Sequence, residues 1–154
     1  MADAGACRVI RSLKSLRADG ELLRYRDGSA WADVRSDDIN AYLRETVGDF
    51  TAKDFRTWHA TVLAAVGLAV SKEAATETAR KRAISRVMRE VAEYLGNTPT
   101  VARASYVDPR VIEAYERGRT IAGALTELGA DVDFGQLATH GTVERAVLDL
   151  LRAG

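Results

Sequence analysis

The chain has 154 residues, of which 47% are hydrophobic and 29% charged, with 22 basic side chains balancing 22 acidic ones. That is the composition of one soluble globular domain with a sizeable core, and it excludes a disordered or collagen-like chain. One cysteine, Cys7, rules out an internal disulfide framework and fits a reducing cytoplasm; no charged leader or run long enough to span a bilayer is present.

Only two prolines interrupt a chain rich in Ala, Leu, Arg and Glu, so helix is the expected element throughout. Residues 6–18 place Val9, Ile10, Leu13 and Leu16 at helical spacing, and Asp19-Gly20 breaks the run. Residues 21–34 read as a short extended stretch with a turn at Asp27-Gly28. Ser36, followed by Asp37 and Asp38, caps a helix to about Val47 that presents Ile39, Tyr42 and Leu43 on one side.

Thr51 or Ala52 opens a helix over Lys53–Val70, whose later part, "ATVLAAVGLAV", is apolar enough to be buried. A longer helix follows over 72–95, with Ala83, Val87, Val91 and Leu95 as its inward stripe and Gly96 as its stop. Thr98-Pro99 starts a short helix through Tyr106, and Asp108-Pro109 starts another to about Gly118. Helices over 120–128 and 142–152, the last capped by Thr142, complete a single mainly α-helical bundle, 1–154.

Charge is unevenly spread. From Arg80 to Arg110 seven basic residues face three acidic ones, a net of +4, whereas from Thr120 onward two basic residues face five acidic ones, a net of −3. A basic middle permits a phosphate-facing surface in a neutral protein. Residues 120–154 read as packing.

Two segments carry candidate chemistry. "TAKDFRTWHA" (51–60) sets Lys53, Arg56 and His59 three residues apart at a helix start, a local cationic site for an anion. A solvated charge cluster is the plainer account of the same pattern. His59 reads first as a packed side chain, and with His140 far away in a loop no metal site is assigned. In "EYLGNTPTVARASYVDPR" (93–110), Asn97 precedes Tyr106 by nine residues across a Gly-Asn-Thr-Pro turn. A tyrosine hydroxyl ionises near about pH 10, so a nucleophilic tyrosine needs cations beside it and a polarised target. Ordinary packing of Tyr106 is the alternative.

"AKDFRTWHATVLAAV" followed by "VAEYLGNTPTVARASYVDPRVIEAY" resembles type IB DNA topoisomerases of the bacterial and poxvirus-like branch, in which a Lys-Asp-(Leu/Phe)-Arg-Thr segment and a later Gly-(Asn/His)-Thr-Pro segment precede the nucleophilic tyrosine. The resemblance implies that Tyr106 attacks a phosphodiester to form a 3′-phosphotyrosyl bond. It implies that Arg56 contacts the non-bridging oxygens and that Asn97 donates to one of them. Lys53 is implied as a supporting contact, with His59, Lys81, Arg82 and Arg103 as further phosphate-binding residues on double-stranded DNA. Neither ATP, metal nor other cofactor is implied, and the expected location is cytoplasmic, on the nucleoid.

The family's site also has an earlier arginine and a lysine general acid on a β-hairpin, and neither has a match here; its small N-terminal domain has none either. A positioned general acid contributes roughly 10²–10⁴-fold and one oxyanion-type donor about 10²–10³-fold, so weak or absent relaxation is expected of this chain alone. A separate chain could supply the missing groups. More distantly the layout resembles tyrosine recombinases, and a non-catalytic helical DNA-binding domain is the reading from outside enzymes.

Overall fold

The computed structural model describes residues 4–15, 21–71, 76–126 and 141–153. The fold is mainly helical, as expected from the sequence. By its internal packing the chain divides into two compact units, Met1–Ala52 and Lys53–Gly154.

The first unit contains helix α1 (Ala4–Ser15), strands β1 (Arg24–Asp27) and β2 (Ala30–Asp33), and helix α2 (Ser36–Val47). The extended stretch expected over 21–34 is a two-stranded antiparallel hairpin with Arg26 opposite Trp31. Gly28, at φ +57°, supplies the left-handed residue that a tight hairpin turn requires. The guanidinium carbons of Arg24 and Arg26 lie 5.5 and 5.9 Å from the Trp31 ring centre. At the start of α2 the expected cap moves by one position. Arg35 is the capping residue, Ser36 is already helical, and the Asp38 carboxylate accepts from the Arg35 N–H at 2.7 Å. Nowhere in this unit is a described residue buried; Val9, Trp31 and Tyr42 are among its exposed apolar side chains.

The second unit holds the core. It consists of α3 (Ala52–Ala69, its first residue excepted), α4 (Glu77–Leu95), α5 (Pro99–Ser105), α6 (Pro109–Glu116), α7 (Ala122–Thr126) and α8 (Gly141–Arg152). The apolar run of α3 is buried continuously from Ala60 to Leu68. Against it pack Ile84, Val87, Met88, Val91 and Ala92 of α4, with Val111 and Ile112 of α6 and Val143 and Val147 of α8 in the same cluster. The α4 stripe is therefore wider than the sequence spacing predicts: Ala83 and Leu95 sit at its partly buried edge.

Several boundaries differ from expectation. Helix α4 begins at Glu77, because the Thr76 hydroxyl accepts from the Ala79 N–H; residues 72–75 lie outside the described residues. Thr142 is the second residue of α8 rather than its cap. The last residues of the helix expected over 120–128, the end of the helix expected over 6–18 with its break at Asp19-Gly20, and the loop holding His140 lie outside the described residues.

Gly67 sets how closely α3 and α4 approach. A Cβ there would lie 2.9 Å from Val87 Cγ1 and 3.1 Å from Cγ2, and Val87 has no exposed surface into which to retreat. Alanine gains up to about 1 kcal/mol of helix propensity over glycine, but overpacking a filled core costs roughly 1–3 kcal/mol. The clash wins, so Gly67→Ala is expected to lower the urea midpoint; an unchanged or higher midpoint would show that the helices separate freely.

Candidate active site

Helix α4 ends at Gly96, whose left-handed conformation (φ 66°, ψ 40°) lets its N–H reach back to the Ala92 and Glu93 carbonyls. The next N–H, of Asn97, also donates to the Ala92 carbonyl, at 2.8 Å. This is the hydrogen-bonded close of a helix on a glycine. Thr98 then caps α5 through its hydroxyl, which accepts from Val101 N–H, and Pro99 takes the first helical position where no amide is needed. The Gly-Asn-Thr-Pro turn thus ends one helix and starts the next within four residues, leaving Asn97 half-buried between them.

Three of the residues singled out in the sequence come together here. Arg56 leaves the first turns of α3 and donates from Nη2 to the Leu95 carbonyl at 2.9 Å. The same carbonyl lies 3.5 Å from Asn97 Nδ2, at the outer limit of a hydrogen bond. The Arg56 guanidinium carbon sits 5.2 Å from the centre of the Tyr106 ring, within cation–π range. Arginine is exposed and tyrosine half-buried, so the guanidinium keeps donors available beside the phenol. Tyr106 does not end α5 as a helical residue. It is the C-cap, at φ −130°, with its N–H bonded to the Ala102 carbonyl.

A residue that sequence inspection passed over holds the tyrosine segment. Thr61 is 2% exposed, and its hydroxyl oxygen accepts from the Asp108 N–H at 3.1 Å. Its own proton has two candidate acceptors, the Thr57 carbonyl at 2.8 Å and the Tyr106 carbonyl at 3.4 Å. The shorter contact is the stronger. One hydroxyl on α3 therefore fixes the backbone just after Tyr106. A lone threonine inside an otherwise apolar buried run was the signal available for it. Thr61→Val keeps the shape but leaves the Asp108 amide without its acceptor, a loss of roughly 1–3 kcal/mol. Chemical denaturation should show that loss and its recovery in Thr61→Ser; equal stability of all three proteins would refute the role.

Beyond this segment, Asp108 caps α6 and binds the Arg110 guanidinium at 2.6 Å. The hydrogen bond from the Arg110 side chain holds the Asp108 carboxyl below the usual carboxylate range. Such a depressed group stabilises the fold above the unfolded carboxylate pKa and loses that contribution as pH falls through its folded value. The C-terminal region also has a definite contact: Trp58 Nε1 donates to Glu144 Oε1 at 2.6 Å, tying α3 to α8 two residues after Arg56.

The other sequence candidates stand apart from this constellation. Lys53 is exposed one turn before Arg56, and His59 is half-buried with no hydrogen bond among the described residues. Lys81 is paired with Glu77 at 2.6 Å, while Arg82 and Arg103 are exposed on α4 and α5. No group of three or more His, Cys, Asp and Glu side chains comes together as a metal would need among the described residues. Nor is any described helix long and apolar enough to cross a membrane.

One guanidinium beside a phenol, next to a helix-ending turn that carries a neutral amide donor, suits attack on a phosphodiester. Residues 9–128, about three quarters of the chain, match the family of the eukaryotic DNA topoisomerase I catalytic core. No curated protein matches the chain.

Proposed function

Because this chain belongs to the DNA topoisomerase I catalytic-core family, we propose that it carries the C-terminal part of a type IB strand-cleavage centre acting on duplex DNA. In this reading the Tyr106 hydroxyl oxygen attacks a phosphorus atom and gives up its proton. A bond forms between that oxygen and phosphorus, the bond from phosphorus to the 5′ oxygen breaks, and the departing 5′ oxygen takes up a proton. Rotation of the freed end relaxes supercoils, and attack by the 5′ hydroxyl on the phosphotyrosine reverses the step.

Arg56 and Asn97 donate to the equatorial oxygens as negative charge gathers on them, which lowers the barrier without a change in their own protonation. The observation that carries the proposal is the position of the Arg56 guanidinium, which donates to the Leu95 carbonyl that Asn97 also approaches and lies beside the Tyr106 ring. Lys53 serves as an outer contact to the same phosphate. The Lys53-to-Thr57 and Gly96-to-Pro99 motifs support placement in the bacterial and poxvirus-like branch, and with it a cytoplasmic location on the nucleoid. A lysine and a further arginine, supplied from elsewhere, complete the centre.

A nicked duplex whose short downstream strand dissociates after cleavage traps any covalent product. Incubated for hours with the chain, it should give a slow adduct on a denaturing gel, mapped by peptide mass spectrometry to the segment containing Tyr106. Absence of an adduct from folded, DNA-bound protein would reduce this chain to a DNA-binding unit.

A further inference from the structure

Burial in α3 begins at Ala60, and none of its residues from Ala52 to His59 is buried. Arg56 therefore stands on turns of helix that lie outside the core, although the chemistry proposed for it depends on close placement. Core packing does not hold those turns, so other contacts must. Arg56 itself makes one of them, through its bond to the Leu95 carbonyl. That guanidinium also has to serve a phosphate, so a hold resting on it alone would loosen the helix end at the moment of use.

Trp58 makes a second contact, from the other side. Successive helical residues are about 100° apart, so Trp58 leaves α3 about 200° round from Arg56. Its ring packs against the core cluster, and its Nε1 donates to Glu144 Oε1 at 2.6 Å. An indole has one donor and no acceptor, so this bond takes up its whole hydrogen-bonding capacity. The acceptor is itself well anchored. Glu144 lies on α8 between Val143 and Val147, neither of which has any exposed surface. Ala146, Leu150 and Leu151 of the same helix pack against the cluster as well.

We infer that Glu144 is a positioning residue for strand cleavage: acting through Trp58, it fixes the first turns of α3 and so keeps Arg56 in place beside Tyr106. The inference rests on the proposed function for the reaction, but not for the placement of Arg56 against the Tyr106 ring. Glu144 takes no part in the chemical step. Its bond leaves the Arg56 guanidinium able to exchange the Leu95 carbonyl for a phosphate oxygen while the helix end stays where it is. Trp58 also lies between Arg56 and Thr61, the residue of α3 that holds the backbone after Tyr106. One anchored carboxylate on α8 thus steadies the part of α3 that serves both the nucleophile and its neighbouring donor.

The test uses the full chain carrying Glu144→Leu, Glu144→Gln or Trp58→Phe. Leucine removes the acceptor, glutamine keeps an acceptor oxygen, and phenylalanine keeps an aromatic ring without the donor. Each protein is measured for single-turnover adduct formation on the nicked duplex, for duplex affinity by fluorescence anisotropy, and for stability in urea. A misplacement of about 1 Å can cost about 100-fold, so Glu144→Leu and Trp58→Phe should each slow the folded protein by about 10- to 100-fold. Duplex affinity should not change, and Glu144→Gln should restore most of the rate. Trp58→Phe/Glu144→Leu should be no slower than either single variant, because both changes remove the same bond. A wild-type rate in Glu144→Leu, whatever its stability, would overturn the assignment, as would a loss in Glu144→Gln equal to that in Glu144→Leu.

A second readout does not need cleavage. Fluorotyrosine placed at position 106 reports by fluorine NMR on the ring beside which the Arg56 guanidinium lies. Its resonance should move in Glu144→Leu and Trp58→Phe towards that of Arg56→Ala, and return in Glu144→Gln. If the wild-type chain gives no adduct, the cleavage reading falls, and a moved resonance still upholds the hold of Glu144 on Arg56. An unmoved resonance overturns that hold, with or without an adduct.

Discussion

Tyr106→Phe is expected to abolish the trapped DNA adduct, to below the detection limit of the gel, while leaving DNA affinity and folding unchanged. The substitution removes one oxygen atom and keeps the ring over which Arg56 sits. The contacts that fix the segment, the Tyr106 N–H to Ala102 and the Thr61 hydroxyl to the Asp108 N–H, are made by backbone and by another side chain, so they survive. An adduct of undiminished yield in the phenylalanine variant would move the nucleophile to another residue and end the proposed role of Tyr106.

Arg56→Ala should slow single-turnover adduct formation by about 10²–10³-fold, the range lost when one preorganised donor to a developing oxyanion is removed. Its effect on stability should be much smaller. The side chain is exposed, and the hydrogen bond it donates to Leu95 contributes only about 0.5–1.5 kcal/mol. Rate and stability thus separate, which distinguishes a chemical role from a structural one. Arg56→Lys should recover little, because an ammonium group cannot lie flat against the Tyr106 ring and also present parallel donors to a phosphate. A rate within about threefold of wild type in Arg56→Ala, against the loss expected of such a donor, would show that the guanidinium rests against the ring for packing alone.

Much of this arrangement was legible in the sequence, for identifiable reasons. Gly96, Thr98-Pro99 and Asp108-Pro109 act through local backbone rules, so their elements could be placed to within a residue or two. The apolar run in α3 announced its burial. What could not be read were facts fixed by distant contacts. Neither the bond from Trp58 to Glu144, 86 residues apart, nor the hold of Thr61 on Asp108, 47 residues on, follows from spacing. The start of α4 was misplaced because Lys72 begins a good helix-forming run, and only the Thr76 hydroxyl marks the true beginning. Val143 and Val147 meet the packing expected of the C-terminal region, but Glu144 on the same helix also reaches the partly buried indole of α3.

The Leu95 carbonyl has a consequence for how this protein can change over evolutionary time. It is a backbone atom, so no substitution at position 95 deletes it, yet it stands between Arg56 and Asn97 and is within reach of both. Groups that share a partner do not contribute independently. A change at either position alters the setting in which the other is judged, since a freed carbonyl becomes available to the residue that remains. Substitutions at Arg56 and Asn97, 41 positions apart in the chain, are therefore expected to be non-additive, so that the fate of one depends on which residue occupies the other.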